Sequence, residues 1–299
     1  MNIVDIRNIG LFSPSLDRHA SFYEEVWGLE LILKLKNICY FRGKSSEHHI
    51  LSLHRGERLG LHHLTFALED QKNVDIAAAE IHRCGGKLLS EPAQLSEPGK
   101  GYGFRFLDPE NRCIELSSDV AAHKETPFDL LKPLRLCHVV LNSKHFEECV
   151  NFYTNILGFR ISDWSENQMV FLRCNSKHHV VSFNRCAHSS VNHVAYIMKN
   201  VDSVMRGLGN LRRQAIRTDW GPGRHGPGNN VFYYYEDPLG YVSEYTSNMD
   251  HIENESEHEV AIWQRLPEHM DQWGVASPPS AAIRMAMTGC PDPGWSNGQ

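Results

Sequence analysis

One stretch of the C-terminal half concentrates residue types that bind metals and move protons. From Gly223 to Glu244 the chain reads GRHGPGNNVFYYYEDPLGYVSE, which places a histidine, a run of tyrosines and a carboxylate around a Pro-Leu-Gly turn. Imidazole nitrogens and carboxylate oxygens are ligands for divalent metals, and histidine also serves as a general acid or base. The apolar runs on either side of the turn indicate two strands. This stretch is therefore the first candidate for a functional site.

This stretch closely resembles the signature of the type I extradiol ring-cleaving dioxygenases. These enzymes are an iron branch of the vicinal oxygen chelate superfamily that includes catechol 2,3-dioxygenases and 2,3-dihydroxybiphenyl dioxygenases. One extra aromatic residue in the run from Phe232 to Tyr235 departs from the pattern. The resemblance is strong from about Arg135 to Tyr245, and it implies an α+β fold of four βαβββ modules in two tandem domains of the glyoxalase/bleomycin-resistance kind.

An internal repeat supports two domains of one plan. SFYEEVWGLEL (21–31) matches NFYTNILGFRI (151–161), and LHHLTFAL (61–68) matches VNHVAYIM (191–198), both at an offset of 130 residues. An offset of 129 carries LDPENRCIEL onto EDPLGYVSEY. Within each half, a strand, a helix and several short strands occur twice, as hydrophobic periodicity and turn residues indicate. Helices are expected near 16–27, 74–84, 145–157 and 200–208.

The repeat and the composition of the junctions predict the domain boundaries. Residues 1–127 form an N-terminal domain without a complete metal site, residues 128–134 a linker, and residues 135–250 a C-terminal catalytic domain. The tail, residues 251–299, loses the strand pattern, but its aromatic residues indicate packing on the domains, with fraying beyond about Gly289.

The resemblance implies that His138, His193 and Glu244 bind the metal. Alignment of the two halves places Ile9, His63 and Glu115 at the corresponding positions, so only the second half has all three ligands. Two neutral imidazoles and one carboxylate form the arrangement associated with non-haem Fe(II) oxygenases, in which other coordination positions stay open. The first half is interpreted as a scaffold whose site has decayed.

The resemblance assigns three further residues to catalysis. His178 matches the histidine that handles the substrate proton, His225 a histidine near the substrate hydroxyl, and Tyr234 a tyrosine that hydrogen-bonds the bound catecholate. His179 is the alternative to His178, because successive strand residues face opposite sides. Tyr233 and Tyr235 are expected to face away from the site. No counterparts of His178 and His225 were found in the first half, where the latter position falls near Ser96.

The implied reaction is Fe(II)-dependent cleavage of a catechol-type diol by O2, with Mn(II) as a possible replacement for iron. Three alternatives stay open: a glyoxalase-like metal-dependent lyase or isomerase, an iron dioxygenase of the hydroxyphenylpyruvate type, and a non-catalytic module that binds small molecules. The family commonly assembles into dimers or larger symmetric oligomers, so a homo-oligomer is expected.

Composition limits the partners and the compartment. The chain has 299 residues, a formal net charge of -6 and no long run of lysine or arginine, so neither nucleic acid nor an anionic membrane is an expected partner. The N-terminus lacks the apolar run of a signal peptide, which predicts a cytoplasmic protein. Eight cysteines without a C-x-x-C pair argue against a zinc knot or a redox dithiol.

Overall fold

The computed structural model describes residues 1–124, 127, 129–214 and 220–295. Phe128 of the predicted linker therefore lies outside the described residues, as do Glu125 and Thr126 at the end of the predicted N-terminal domain, residues 215–219 and the last four residues of the tail. Within the described residues the chain forms two mixed sheets of nine strands each, one from each half. The α+β prediction with tandem vicinal-oxygen-chelate domains is confirmed.

The strands follow the predicted repeat. Those of the first half are β1 (Ile3–Ser13), β2 (Glu30–Lys34), β3 (Ile38–Arg42), β4 (Leu51–Arg55), β5 (Gly60–Leu68), β6 (Lys87–Leu88), β7 (Ala93–Gln94), β8 (Tyr102–Leu107) and β9 (Cys113–Ser118). Those of the second half and the tail are β10 (Arg135–Ser143), β11 (Arg160–Ser165), β12 (Met169–Arg173), β13 (Val181–Arg185), β14 (Ser190–Ile197), β15 (Trp220–Arg224), β16 (Val231–Glu236), β17 (Val242–Ser247) and β18 (Ala261–Trp263).

Each βαβββ module contains one longer helical segment, and the tail contains two short ones. The helices are α1 (Leu16–Ser21), α2 (Gln71–Arg83), α3 (Phe146–Asn151), α4 (Val201–Arg213), α5 (Pro267–Met270) and α6 (Ala281–Thr288). A π-helical turn extends α1 over Phe22–Val26 and α3 over Phe152–Ile156. The single helices predicted at 16–27 and 145–157 are thus each an α-helix joined to a wider turn.

Helix ends in the two halves use the same local chemistry. Asp70 and Asn200 cap α2 and α4 by accepting a hydrogen bond from the backbone N–H three residues ahead. Gly28 and Gly158 follow the π-helical turns with φ of +87° and +81°. Because an L side chain rarely adopts this left-handed conformation, both positions favour glycine. The duplicated plan therefore extends to individual backbone conformations.

Strand order brings the first and second modules of each half side by side. In the second half the order is β15-β16-β17-β14-β10-β13-β12-β11-β18, and in the first it is β2-β3-β4-β1-β5-β9-β8-β6, with β7 beside β8. The paired modules meet at β1 and β5, and at β10 and β14, which run antiparallel. Strands β17, β14 and β10 are consecutive neighbours, so residues far apart in sequence lie close together there.

Strand register corrects one predicted correspondence. Ile9 of β1 and Val139 of β10 make equivalent pairings with both neighbouring strands of their sheets. Asn8, and not Ile9, therefore lies at the position of His138. A β-bulge precedes this position in both halves, so it leaves their offset at 130 residues. The pairing of His138 with Ile9 used an offset of 129, which applies to Glu115 and Glu244.

The halves are joined by buried contacts between the helix of one and the hairpin of the other. His19 of α1 lies 2.5 Å from a carboxylate oxygen of Asp237, at the turn between β16 and β17. Trp27 stacks on Tyr245 of β17 with ring centroids 3.9 Å apart. All four side chains are buried, so the interface is part of one continuous core.

The tail returns to the second half and adds an edge strand to its sheet. Strand β18 pairs in parallel with β11, and α6 packs beside β14. Among the described residues, no helix has the length and apolar character needed to cross a membrane.

Candidate active site

The three predicted metal ligands come together on the neighbouring strands β10, β14 and β17. Glu244 Oε2 lies 3.2 Å from His138 Nε2 and 3.4 Å from His193 Nε2. A metal about 2.1 Å from each of three ligands would separate the ligand atoms by about 3.0 to 3.5 Å. These side chains are buried, at 2%, 5% and 0% exposure for His138, His193 and Glu244. The spacing of the three atoms therefore fits one shared ion.

Their hydrogen bonds leave the ligand atoms free. His193 Nδ1 lies 2.8 Å from Asn192 Oδ1, which only accepts, so the lone pair of this imidazole is on Nε2. Glu244 Oε1 accepts a hydrogen bond from Asn230 Nδ2 at 3.2 Å. In contrast, His193 Nε2 and Glu244 Oε2 are buried without a hydrogen-bond partner within the described part of the chain. A buried carboxylate oxygen and imidazole nitrogen in this state suit a cation between them.

Burial also sets the protonation of the ligands. It lowers the pKa of both His138 and His193 to about 3, so both imidazoles are neutral near pH 7 and can offer a lone pair. Burial raises the pKa of Glu244, against the opposing effect of His193. A divalent cation would stabilise the carboxylate and compensate for its removal from water.

His225 and Tyr234 form a second pair beside the metal ligands. His225 Nδ1 lies 3.0 Å from the backbone carbonyl of Met270, and His225 Nε2 lies 3.0 Å from the Tyr234 hydroxyl. A carbonyl only accepts, so Nδ1 carries the proton and the tyrosine donates to Nε2. Burial lowers the pKa of His225 and raises that of Tyr234 well above its usual value, so both are neutral.

Of the aromatic run, only Tyr234 lines the cavity within the described residues. Tyr233 and Tyr235 belong to the main core on the other side of β16. Strand alternation accounts for the difference, and it is the arrangement expected from the sequence.

The structure reverses the predicted choice between His178 and His179. His179 lines the cavity, with its ring centroid 4.3 Å from that of His138. His178 lies behind it and is bonded through Nε2 to Asp163 Oδ2 at 3.0 Å. The prediction that His178 faces the site is therefore wrong. Both residues lie in the bend before β13, where strand alternation does not apply.

His178 has a histidine counterpart in the first half, contrary to the sequence analysis, whereas His225 has none, as expected. The bend before β4 places His48 and His49 where His178 and His179 lie before β13. Leu95 stands at the position of His225, because each donates its backbone N–H to the equivalent carbonyl of the following loop. The histidine pair therefore occurs in both halves, whereas only the second half has a histidine in the glycine-rich loop, residues 225–230 between β15 and β16.

A cavity of about 490 Å³ opens directly above the ligand atoms. Its walls are mainly apolar and aromatic, and a large share of them comes from the tail. The second-half residues include Phe171, Trp220, His179 and His225; the tail residues include Trp263, Arg265, Met270, Pro279, Arg284 and Met287. The sequence analysis predicted that the tail packs on a domain, but it did not identify these lining residues, whose positions have no counterpart in the repeat.

A second histidine cluster, His54, His62 and His63, lies in the first half. His54 and His62 stack nearly parallel, with centroids 3.6 Å apart and an angle of 12°. A metal lies close to the plane of each imidazole that binds it, so two stacked rings cannot both direct a lone pair at one ion. His62 Nδ1 and His63 Nδ1 are 2.7 Å apart, the distance of a hydrogen bond. We therefore assign no metal to this cluster.

Comparison with known proteins agrees with this geometry. The family model described as "Glyoxalase/Bleomycin resistance protein/Dioxygenase superfamily" matches residues 135–245. A Mn(II)-bound glyoxalase from Novosphingobium aromaticivorans is 37% identical, with 94% of each chain covered and a TM-score of 0.89. This chain belongs to that superfamily.

Curated proteins similar to this chain include ring-cleaving dioxygenases. Metapyrocatechase 2 of Cupriavidus necator is 26% identical over 67% of this chain and 68% of its own length. A manganese-dependent 2,3-dihydroxybiphenyl 1,2-dioxygenase of Geobacillus genomosp. 3 is 24% identical over 79% of this chain and 82% of its own. The predicted resemblance to type I extradiol dioxygenases, and with it the prediction of the enzyme class, is confirmed.

Proposed function

We propose that this chain cleaves a catechol-type diol beside its hydroxyl-bearing carbons with O2, using Fe(II) held by His138, His193 and Glu244. The observation that supports it most is the convergence of three buried ligand atoms at the floor of a largely apolar cavity. When bound, a redox-active divalent metal supplies Lewis acidity, open coordination positions and a path for electrons between diol and O2.

The remaining side chains bind the diol and handle its protons. His179 is neutral, since burial holds its pKa well below the usual value, and its ring lines the cavity, where it can accept a hydroxyl proton. Tyr234 donates its hydroxyl proton to His225, so its oxygen can accept a hydrogen bond from the second hydroxyl of the diol. Trp220 stacks on Tyr234 with centroids 4.9 Å apart and covers one wall against water.

The proposed metal is Fe(II), and Mn(II) is the alternative. Two imidazoles and a carboxylate accept either ion, and both the glyoxalase structure and one curated dioxygenase carry manganese in their names. Measurement of the bound metal after purification from cells grown with both ions therefore belongs to the first experiment.

One rival activity is supported by a specific observation. The 37% identical structure is named a glyoxalase, which is the metal-dependent lyase or isomerase considered from the sequence. The histidine and tyrosine set around the ligands favours the dioxygenase, because hemithioacetal isomerisation needs no O2 and no tyrosine to bind a second diol oxygen.

The test is oxygen uptake after anaerobic reconstitution. The purified protein is loaded separately with Fe(II) and Mn(II), mixed with monocyclic and bicyclic catechols, and exposed to air. We expect one O2 consumed per diol, together with the visible absorbance of a ring-opened product. A parallel assay supplies methylglyoxal with glutathione. Isomerisation of that hemithioacetal without O2 uptake on any diol would replace the proposal with the glyoxalase activity.

A further inference from the structure

A buried carboxylate and two histidines form a chain of contacts from the tail to the cavity. Asp163 Oδ2 lies 3.0 Å from His178 Nε2, and His178 Nδ1 lies 2.9 Å from His179 Nδ1. All three residues are less than 7% exposed. The second nitrogen of His179, Nε2, makes no hydrogen bond within the described residues, and its ring lines the cavity.

The donors and acceptors of this chain can be assigned by elimination. A carboxylate only accepts, so Nε2 of His178 carries the proton that Asp163 accepts. When His178 carries a single N–H, its Nδ1 is the acceptor in the contact with His179. The contact between the two histidines then requires His179 to donate from Nδ1. Nε2 of His179 is left with a lone pair, and this is the nitrogen that can face a bound diol.

From this assignment we propose that Asp163 and His178 are positioning residues that hold His179 in the tautomer whose Nε2 accepts a proton from the substrate. The inference rests on the proposed function for its catalytic meaning. It adds Asp163, which the sequence signature does not include, and it gives His178 a positioning role in place of the catalytic role predicted from the sequence. Their role is to choose which ring nitrogen of His179 is the acceptor, and they do not touch the substrate.

The carboxylate is fixed by more than the histidine. Asp163 Oδ1 accepts the backbone N–H of Ala261 at 2.9 Å, and Oδ2 accepts Trp263 Nε1 at 2.8 Å. Burial alone would raise the pKa of Asp163, but these bonds and the one from His178 lower it, so the carboxylate stays an acceptor. Strand β18 of the tail therefore orients the same group that orients His178.

The glycine-rich loop closes the other side of the pair. Gly228 has φ of +72°, and a Cβ built on it would lie 2.9 Å from His178 Nδ1. The backbone of the loop thus packs directly on the nitrogen that accepts from His179. Any side chain at this position would push the two histidines apart.

The first half supplies an internal comparison. His48 Nδ1 and His49 Nδ1 are 3.2 Å apart, with the same near-perpendicular rings as His178 and His179. The residue that corresponds to Asp163 by strand register is Leu33. The histidine pair is therefore common to both halves, whereas the carboxylate occurs only in the half that has the metal ligands.

The test reads the tautomer directly. Long-range ¹H–¹⁵N correlation of histidine rings in the diamagnetic Zn(II)-loaded protein, assigned with His179→Gln, should show His179 protonated at Nδ1. In Asp163→Asn the amide can present an N–H to His178, and His179 should shift toward the Nε2–H tautomer. The Fe(II)-loaded variant should lose about 10- to 100-fold in kcat with metal content and KM unchanged.

Two further variants separate positioning from folding. Leu33→Asn, the matched change in the first half, should leave kcat and the His179 spectrum as in the wild type. If Asp163→Asn fails to fold, His178→Gln is the alternative variant. It removes the histidine through which Asp163 acts and keeps the Asp163 carboxylate. Wild-type His179 protonated at Nε2, or unchanged tautomer and kcat in Asp163→Asn, would overturn the proposal. Because the spectrum needs no substrate, it decides this inference even if no catechol is cleaved, which would refute the proposed function alone.

Discussion

Glu115 in the first half and Glu244 in the second occupy equivalent places, yet among the described residues only Glu115 is paired with a cationic side chain. Arg105, which stands where the second half has Tyr234, donates from Nε to Glu115 at 2.8 Å. Its other nitrogen bonds Glu97 at 2.6 Å. The first half therefore compensates its buried carboxylate with a built-in guanidinium, while in the second half Glu244 Oε2, His193 Nε2 and His138 Nδ1 are buried without a hydrogen-bond partner among the described residues.

The same comparison explains the difference in open space. Around Glu115 the cavity is only about 20 Å³, because Arg105 and the histidines fill it, whereas a cavity of about 490 Å³ adjoins His138 and His193 in the second half. His63 Nε2, the counterpart of a metal ligand, is bonded to Asn8 Oδ1 at 3.1 Å. A guanidinium supplies charge but no open positions, so this half can be stable without a metal and cannot bind reactants there.

The largest expected effect is loss of metal from the second half. His138→Ala removes one of three ligands and should weaken metal binding by at least about 100-fold, since even residues that only support metal ligands contribute 10- to 100-fold. Asn8→Ala is the matched control and should leave the metal content unchanged. Metal content after dialysis measures both. Equal metal in wild type and His138→Ala would remove the assignment of the three ligands.

His225→Phe should separate catalysis from metal binding. We expect metal content to stay at the wild-type level while turnover falls at least tenfold, because acid and base groups commonly contribute about 10²- to 10⁴-fold. Leu95→Phe, at the corresponding position of the first half, should leave turnover unchanged. The measurement is kcat with the metal determined on the same sample. Full turnover in His225→Phe would reduce this histidine to a structural part of the loop.

The candidate metal ligands His138, His193 and Glu244 could be named from the sequence because the chain resembles a known family from about Arg135 to Tyr245. The repeat added that the first half has no histidine at the position of His138. The order of β10, β14 and β17 then follows from the fold. Tyr234 was also found, since alternation along β16 assigns the flanking tyrosines to the other face.

Other features depend on local geometry that the sequence does not display. Residues before β13 lie in a bend, so alternation could not choose between His178 and His179. The offset of 129 residues that relates Glu115 to Glu244 paired Ile9 with His138, whereas the strand register has an offset of 130 at this place. The tail residues that line the cavity belong to no repeat, and their contacts arise only when the tail folds back on the second half.

Removal of the guanidinium should destabilise the first half and spare the second. Arg105→Met leaves Glu115 buried without its cation, which should lower the free energy of unfolding by about 3 kcal/mol. Urea denaturation measures this change. Metal content of the native protein should stay the same because the ligands lie in the other sheet. An unchanged free energy of unfolding in Arg105→Met would mean that the Arg105 guanidinium does not compensate the buried charge of Glu115 in the way a metal would.

The smallest effect concerns the pH at which the first half loses stability. Burial lowers the pKa of His54 to about 3 and that of His62 to about 2, below the ordinary 6.5. The unfolded chain therefore binds protons first as pH falls, and stability decreases between pH 6.5 and the lower folded-state values. At pH 5.5 each histidine should cost about 1 kcal/mol relative to pH 7.5.

The second half has Asn184 and Asn192 at these two positions, which suggests the test. His54→Asn and His62→Asn should each make unfolding free energy less dependent on pH between 7.5 and 5.5 by about 1 kcal/mol, whatever they do to stability at pH 7.5. Asparagine does not titrate, so the slope reports only the removed histidine. An unchanged slope in both variants would mean that these rings are protonated in the native protein, and the stacked pair would then need an anion beside it.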